Sequence, residues 1–307
     1  MATNRLFSHL IVLFLTLAAP IIVLAADPPQ AARSKIGYRF SYTPIYQFET
    51  DLDAGGSFDV QRHLLRFDVS RFIDRHWMVG VGLSLDYERW DFSDTGRLAG
   101  IDLWDEIFRP GISVPIFYRT DNNWRFGIIP SIDIAGANGA DTEESFSYGV
   151  VLSAAYAFSP DLTVGVGGGV FERLDQTEFF PYVVIDWQIN DRLQLTNPFR
   201  AGPVGPAGLE LVYRPKDRLE MGIGGAYRSY RFRLDDSSTV ADGIGQVDFM
   251  ATFVRVGWQL GNRYHLDLNG GMLFGGQITI EDEDAHELGD TDYDPAPFLG
   301  MTVRGRF

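Results

Sequence analysis

Cysteine is absent from the 307-residue chain. That removes disulfides, thiolate nucleophiles and Cys-ligated metals, and with them the lipid-bearing cysteine of a bacterial lipoprotein. Lysine is nearly absent: Lys35 and Lys216 are the only two, and the rest of the 26 basic residues are arginine. Arginine grips carboxylates in a planar two-bond fork, which suits fixed ion-pair networks. Positive charge is short overall, 26 Lys and Arg against 41 Asp and Glu, for a net −15. So acidic a chain is a poor partner for nucleic acid, which rewards basic residues facing phosphates. Beyond residue 26 no stretch approaches the ~20 apolar residues that a membrane helix requires. Catalytic signatures are missing too, with no Gly-x-Ser-x-Gly elbow and no His-Glu-x-x-His. Among His63, His76, His265 and His286, only His63 falls mid-strand, and no serine stands beside it to form an outer-wall lipid hydrolase. No cofactor motif is present, and the chain reads as a non-enzyme.

What is present begins with a targeting segment over residues 1–26. Arg5 gives a positive start, Leu10 to Val23 are mostly apolar, and Val23-Leu24-Ala25 supplies the cleavage exit. The segment carries that one arginine and no acid, so its removal takes the charge from −15 to −16. Residues 27–307 then read as one domain. Asp27 to Lys35 is too short for a plug before the first strand, which argues against an energy-coupled receptor.

Glycine (33 residues) and aromatics (14%) are abundant, and from Ile36 the chain alternates with period two. Ile36, Tyr38, Phe40, Tyr42, Tyr46 and Phe48 share one face; Gly37, Arg39, Ser41, Thr43, Gln47 and Glu49 share the other. The rhythm returns over 77–87, 124–134, 146–158, 162–170, 207–214 and 264–280. A tilted strand crosses a bilayer in ~9–11 residues. Short polar turns such as Asp74-Arg75-His76, Asp121-Asn122-Asn123 and Gly261-Asn262-Arg263 join the strands at one end. Longer acidic connections join them at the other: 50–56, 93–106, 136–143, 235–243 and 281–294. That asymmetry belongs to an antiparallel transmembrane β-barrel. Six short turns, with both termini at one end, give 14 strands; 12 remain if the Pro- and Gly-rich hairpin over 197–208 does not span. Pro44, Pro110, Pro115 and Pro130 fall inside strands, where bulges or rim positions are expected.

Trp77, Trp124, Trp187, Trp258, Tyr264 and Phe307 lie beside short turns, as interface aromatics do. A barrel of some fourteen strands is too wide for side chains to fill, since filled interiors occur near ~8 strands. The apolar face therefore points to lipid and the polar face inward. That places Arg39, Arg62, Asp86, Glu88, Arg109, Arg125, Asp133, Glu210, Arg228, Asp267 and Arg304 around the lumen. Such a lining suits either a hydrated passage or an ion-pair network bracing the wall. Both signs are mixed, so no strong ion preference is expected.

The chain ends PFLGMTVRGRF. Leu299, Met301, Val303 and Phe307 lie on one side of this strand; Thr302, Arg304 and Arg306 lie on the other. This resembles the C-terminal strand of bacterial outer-membrane β-barrels, with Gly305 standing where a hydrophobic residue is usual. The resemblance implies the outer membrane of a Gram-negative bacterium, insertion machinery that reads Phe307, and surroundings of lipid and lipopolysaccharide. Over residues 27–307 the chain resembles the loosely related barrels that are uncharacterised or of transport type, which implies passive passage of small solutes. Fatty-acid-type transporter barrels also have 14 strands, although their N-terminal hatch is lacking here. A closed structural or adhesive barrel, acting through its loops, is the third reading.

The segment 281–294 holds eight acidic residues. Asp290, Asp292 and Asp294 alternate as Ca²⁺ ligands do, but Pro295 and Met301 stand where a calcium loop needs Gly and Glu. A solvated acidic loop is the plainer reading, and no metal is assigned. Cleavage of the leader predicts that protein purified from the membrane begins at Asp27. An intact mass that still contains Met1 to Ala26 would contradict it.

Overall fold

Period-two alternation builds the structure throughout. A computed structural model describes residues 36–94, 103–197 and 207–307; the leader over 1–26 and the centre of the Pro-rich hairpin, around Pro203, lie outside them. Its strands are β1 (Ile36–Asp51), β2 (Ser57–Phe72), β3 (Trp77–Ser93), β4 (Glu106–Ser113), β5 (Ile116–Arg119) and β6 (Trp124–Ile134). Next come β7 (Gly136–Ala137), β8 (Phe146–Ser159), β9 (Leu162–Arg173), β10 (Gln176–Asn190), β11 (Leu193–Thr196) and β12 (Gly208–Lys216). The last are β13 (Leu219–Arg233), β14 (Ile244–Leu260), β15 (Tyr264–Glu281), β16 (Glu287–Tyr293) and β17 (Ala296–Arg306). In three places two segments continue one wall strand, β4 with β5, β6 with β7 and β16 with β17, so the wall has 14 strands. The short β11–β12 hairpin supplies two of them. The ring closes where β1 pairs with β17, from Arg39↔Arg306 to Gln47↔Phe298. Phe307 and Tyr38 exchange both backbone hydrogen bonds there, each 3.0 Å. Closure leaves no free edge, which an all-β membrane span requires.

The outer wall carries an apolar belt. Leu83, Ile128, Leu152, Val166, Val183, Ile223, Val254, Leu268 and Leu299 are all exposed on it. The short-turn end is fixed by its acidic residues. Asp74 accepts hydrogen bonds from the backbone N–H groups of Trp77 (2.8 Å) and His76 (2.7 Å). Those two donors hold its carboxyl below the usual range.

The strand prolines cause no bulge. Tyr42↔Val303 and Ile45↔Gly300 keep one register across Pro44. The other three share one seam. The β4–β6 ladder covers Gly111 to Ser113, just past Pro110, and the β5–β6 ladder resumes at Ile116↔Ile128. Between them Pro115 and Pro130 sit opposite the same interruption, bridged by Val114 N–H to the Pro130 carbonyl at 2.9 Å. Residues without an N–H have collected where the ladder is already broken, mid-wall and not at the rims.

The interior departs from the expected polar lining. At the long-loop end the inward face is apolar: Phe58, Val60 and Leu64 of β2, Trp90 of β3, Ile107 of β4, Phe232 of β13, Val247, Phe249 and Phe253 of β14, Leu273 and Ile278 of β15. Val60, Phe232 and Phe249 are 0% exposed. Trp104 reaches in from the β3–β4 connection, its ring 4.7 Å from Phe232 and 5.6 Å from Trp90. A wide barrel holds such a core because it narrows. The two residues of β7 pair antiparallel with β4 (Ile107↔Ala137, Phe108↔Gly136) and parallel with β13 (Arg233↔Gly136). Arg233 N–H bonds to the Ala135 carbonyl and Asn138 N–H to the Glu106 carbonyl, each 2.9 Å. A smaller ring thus runs from β13 through β14, β15, the β16–β17 strand and β1 to β4, and returns through β7. Its size approaches the ~8 strands that side chains can fill.

Phe249→Ala in this filled half is expected to cost about 3–5 kcal/mol, read as a lower urea midpoint in vesicles. Lipid-facing Val254→Ala on the same strand should cost clearly less. Equal, small losses would contradict a packed core.

Candidate functional site

β7 divides the lumen, and its two parts differ. On the side of β6 and β8 to β10 many inward residues stay half-buried, Ser131 and Asp133, Gly149 and Val151, Gly167 and Phe171, Phe180 and Tyr182, while Ser147, Ala155 and Thr163 are buried. The rings of this part lie against glycine backbone. A Cβ on Gly167 would stand 2.2 Å from Tyr182 Cζ, and one on Gly169 2.3 Å from Phe180 Cζ. Only glycine permits that approach. Phe171 and Phe180 stack at 5.5 Å. The open part is therefore walled by small residues with flat rings set into it.

Its long-loop end is latched. β9 and β10 join through Leu174 and Asp175 alone, both at positive φ (49° and 66°), the geometry of a tight hairpin turn. The tip leans on the face of β13 that β12 does not cover. Arg233 donates to Asp175 Oδ2 at 2.9 Å, and Arg231 to the Leu174 carbonyl at 3.3 Å. Arg231 is held in turn by Glu281 Oε1 at 2.9 Å, and Arg173 by Glu178 at 2.7 Å. Against the latch lies a groove of about 540 Å³ lined by Glu143, Glu144, Glu172, Asp175, Glu283 and Asp284 with Arg233, Leu174, Phe146 and Tyr148.

The sequence-derived lumen residues fall into three settings. Glu210, Asp267 and Arg304 join a network on β12 to β17 centred on Arg255. Its Nε donates to Glu210 at 2.8 Å and its Nη1 to Asp267 at 2.7 Å. Arg304 donates to Asp267 at 2.8 Å, and Arg214 to Glu220 at 3.0 Å. Arg62, Asp86, Glu88 and Arg109 sit beneath the apolar core. Asp86 binds Arg66 through both oxygens. Glu88 lies 3.4 Å from Arg62 and 3.6 Å from Arg109. Arg228 stands beside them, 5.5 Å from the Tyr230 ring. Asp133 faces the open part opposite Gly111 and Ser147, while Arg39 and Arg125 are exposed at the short-turn rim. Arg62, Glu88, Glu210 and Asp267 are almost wholly buried, so they brace the wall. Arg66, Arg231, Arg233 and Arg255 escaped the sequence reading. The Phe253-Arg255-Gly257 alternation against Val254, Val256 and Trp258 marks Arg255 as inward; preceding apolar residues on both faces of β14 hide it.

The interface aromatics Trp77, Trp124, Trp187, Trp258, Tyr264 and Phe307 are exposed on the outer wall. Tyr264 and Phe307 meet edge to face at 5.8 Å. The acidic segment is no loop: β15 runs to Glu281 and β16 starts at Glu287. Asp290 and Asp292 alternate because they occupy the outer face of a strand, with Thr291 and Tyr293 buried on the other. Gln277 donates to Asp290 at 3.0 Å, and Asp294 is exposed beyond the strand. Among the described residues no acidic or histidine group has metal-holding geometry. His63 lies on the outer wall, its Nδ1 2.8 Å from Tyr42 Oη.

No family model matches the chain, and no curated protein matches it. Solved structures to which the chain is similar include an outer membrane channel from Pseudomonas putida F1 (11% identity, 92% of this chain and 100% of that one, TM-score 0.49). Another is the P. putida toluene transporter TodX (9%, 90% and 91%, TM-score 0.43). A third is the KdgM porin in complex with disordered oligogalacturonate (11%, 85% and 97%, TM-score 0.32).

Proposed function

We propose that the protein is a passive channel of a Gram-negative outer membrane, passing small solutes along one side of its divided interior. One observation carries the reading. Inward residues such as Asp133 of β6, Val151 of β8, Phe171 of β9 and Tyr182 of β10 remain partly accessible, whereas those between β13 and β4 at the long-loop end are sealed. A solute takes the accessible side and leaves past the β9–β10 tip, which must lift from Arg231 and Arg233. The leader delivers the chain across the inner membrane. Phe307, exposed at the closing seam, is offered to the insertion machinery, and the aromatic girdle meets outer-membrane lipid and lipopolysaccharide. The filled half and the latch favour a second reading, a closed structural barrel that works through its acidic outer end.

Planar bilayers separate the two. Stable conductance steps are expected from the folded barrel, identified by heat-modifiable gel migration. Val151→Trp, facing the open part, should cut the step by about half or more, while lipid-facing Val254→Trp should not. Silence at high protein loading would favour the structural barrel. Liposome swelling with sugars, set against uptake of labelled lipids, distinguishes polar from apolar solutes.

A further inference from the structure

The base of the apolar core gathers more buried donors than acceptors. Arg62 is 1% exposed. Its Nη1 donates to Gln47 Oε1 at 2.9 Å, and its Nε lies 3.4 Å from Glu88 Oε2, beyond good hydrogen-bond geometry. Among the described residues its Nη2 has no partner, nor has Nη2 of Arg109 or the hydroxyl of Tyr230. Both guanidinium groups lie over the same ring. The Arg62 and Arg109 guanidinium carbons lie 5.9 and 5.1 Å from the Tyr230 ring centre, and both arginines flank Glu88. Arg228 adds a third guanidinium 5.5 Å from the same ring. Among the described residues, one neighbouring carboxylate oxygen, Glu88 Oε1, lacks a hydrogen bond, against four donors that lack one: Arg62 Nε and Nη2, Arg109 Nη2 and the Tyr230 hydroxyl. Asp86 is gripped by Arg66 through both oxygens, and Glu88 also accepts the Trp90 indole N–H at 3.2 Å.

A buried charge without enough counter-charge is costly, as is each unmade hydrogen bond of a buried donor. An anion resolves both at once. We propose that Arg62, Arg109 and Tyr230 form a binding site for a small monovalent anion of halide size at the boundary between the filled and open parts of the lumen. The guanidinium Nη2 groups and the tyrosine hydroxyl donate to it, and Arg228 adds field. Entry is from the lumen, past Arg109, and not from the acidic groove outside. The site does not depend on conduction: a barrel silent in bilayers would still bind.

Iodide is the probe, added to the folded barrel in detergent at constant ionic strength with gluconate as the balancing anion. Trp90 reports, because its ring lies 5.4 Å from the Arg62 guanidinium. Quenching should contain a saturable component that Trp90→Phe removes. Arg109→Gln and Tyr230→Phe should each weaken it, the former by about tenfold. Linear quenching that is unchanged in Arg109→Gln would overturn the site. Anomalous diffraction from crystals soaked in sodium bromide supplies a second readout that needs no variant. A bromide peak between Arg62 Nη2, Arg109 Nη2 and Tyr230 Oη is expected. Ordered water there, with no anomalous signal, would show that solvent satisfies the donors and would refute the proposal.

Discussion

Backbone pairing at Gly136 and Ala137 sets the character of the interior. A membrane barrel must satisfy every N–H and C=O within its own wall, and the obvious solution is one ring of constant width. Here the two residues of β7 bridge β4 and β13 directly, and the long-loop end closes over a shorter circuit. Narrowing turns a lumen too wide to fill into a compartment that Phe58, Trp90, Trp104, Phe232 and Phe249 can pack. On the strands left outside the circuit, the inward faces of β8 to β10 stay half-buried at Gly149, Val151, Gly167, Phe171, Phe180 and Tyr182.

The placement of charge follows from that division. Where the interior is dry, arginines are compensated or leave an imbalance, as Arg62 and Arg109 do around Glu88. Nearer the short-turn end, Arg255 joins Glu210, Glu220 and Asp267 across neighbouring strands. Glycine makes the room, for a Cβ on Gly222 would meet Glu210 Oε1 at 2.1 Å and one on Gly257 would meet Asp267 Oδ1 at 2.5 Å. A chain almost without lysine is suited to this, because the guanidinium fork serves two or three carboxylates from one fixed position.

Much of the wall was legible in sequence. Alternation along Ile36 to Phe48 and Trp77 to Tyr87 assigned the faces, and the turns beside Trp77, Trp124 and Tyr264 gave the polarity of the barrel and its 14 strands. The filled half was not legible, for a physical reason. Alternation reports which residues share a face, but it does not say what lies opposite that face across the lumen. In β14, Val247, Phe249 and Phe253 point inward while Met250 and Val254 point outward, so both faces are apolar and the period fades. A two-residue bridge such as β7 leaves no periodic trace at all. The same limit made the acidic segment read as a solvated loop, where the spacing of Asp290 and Asp292 is that of a strand.

The division of the lumen can be tested directly because the chain has no cysteine, so a single introduced thiol has no background. Val151→Cys faces the accessible part and Val247→Cys the packed one. With the folded protein in vesicles, a small membrane-impermeant thiol reagent should modify Cys at 151 readily and leave Cys at 247 untouched until the barrel is denatured. Comparable rates at both positions, or protection of 151 alone, would contradict the account.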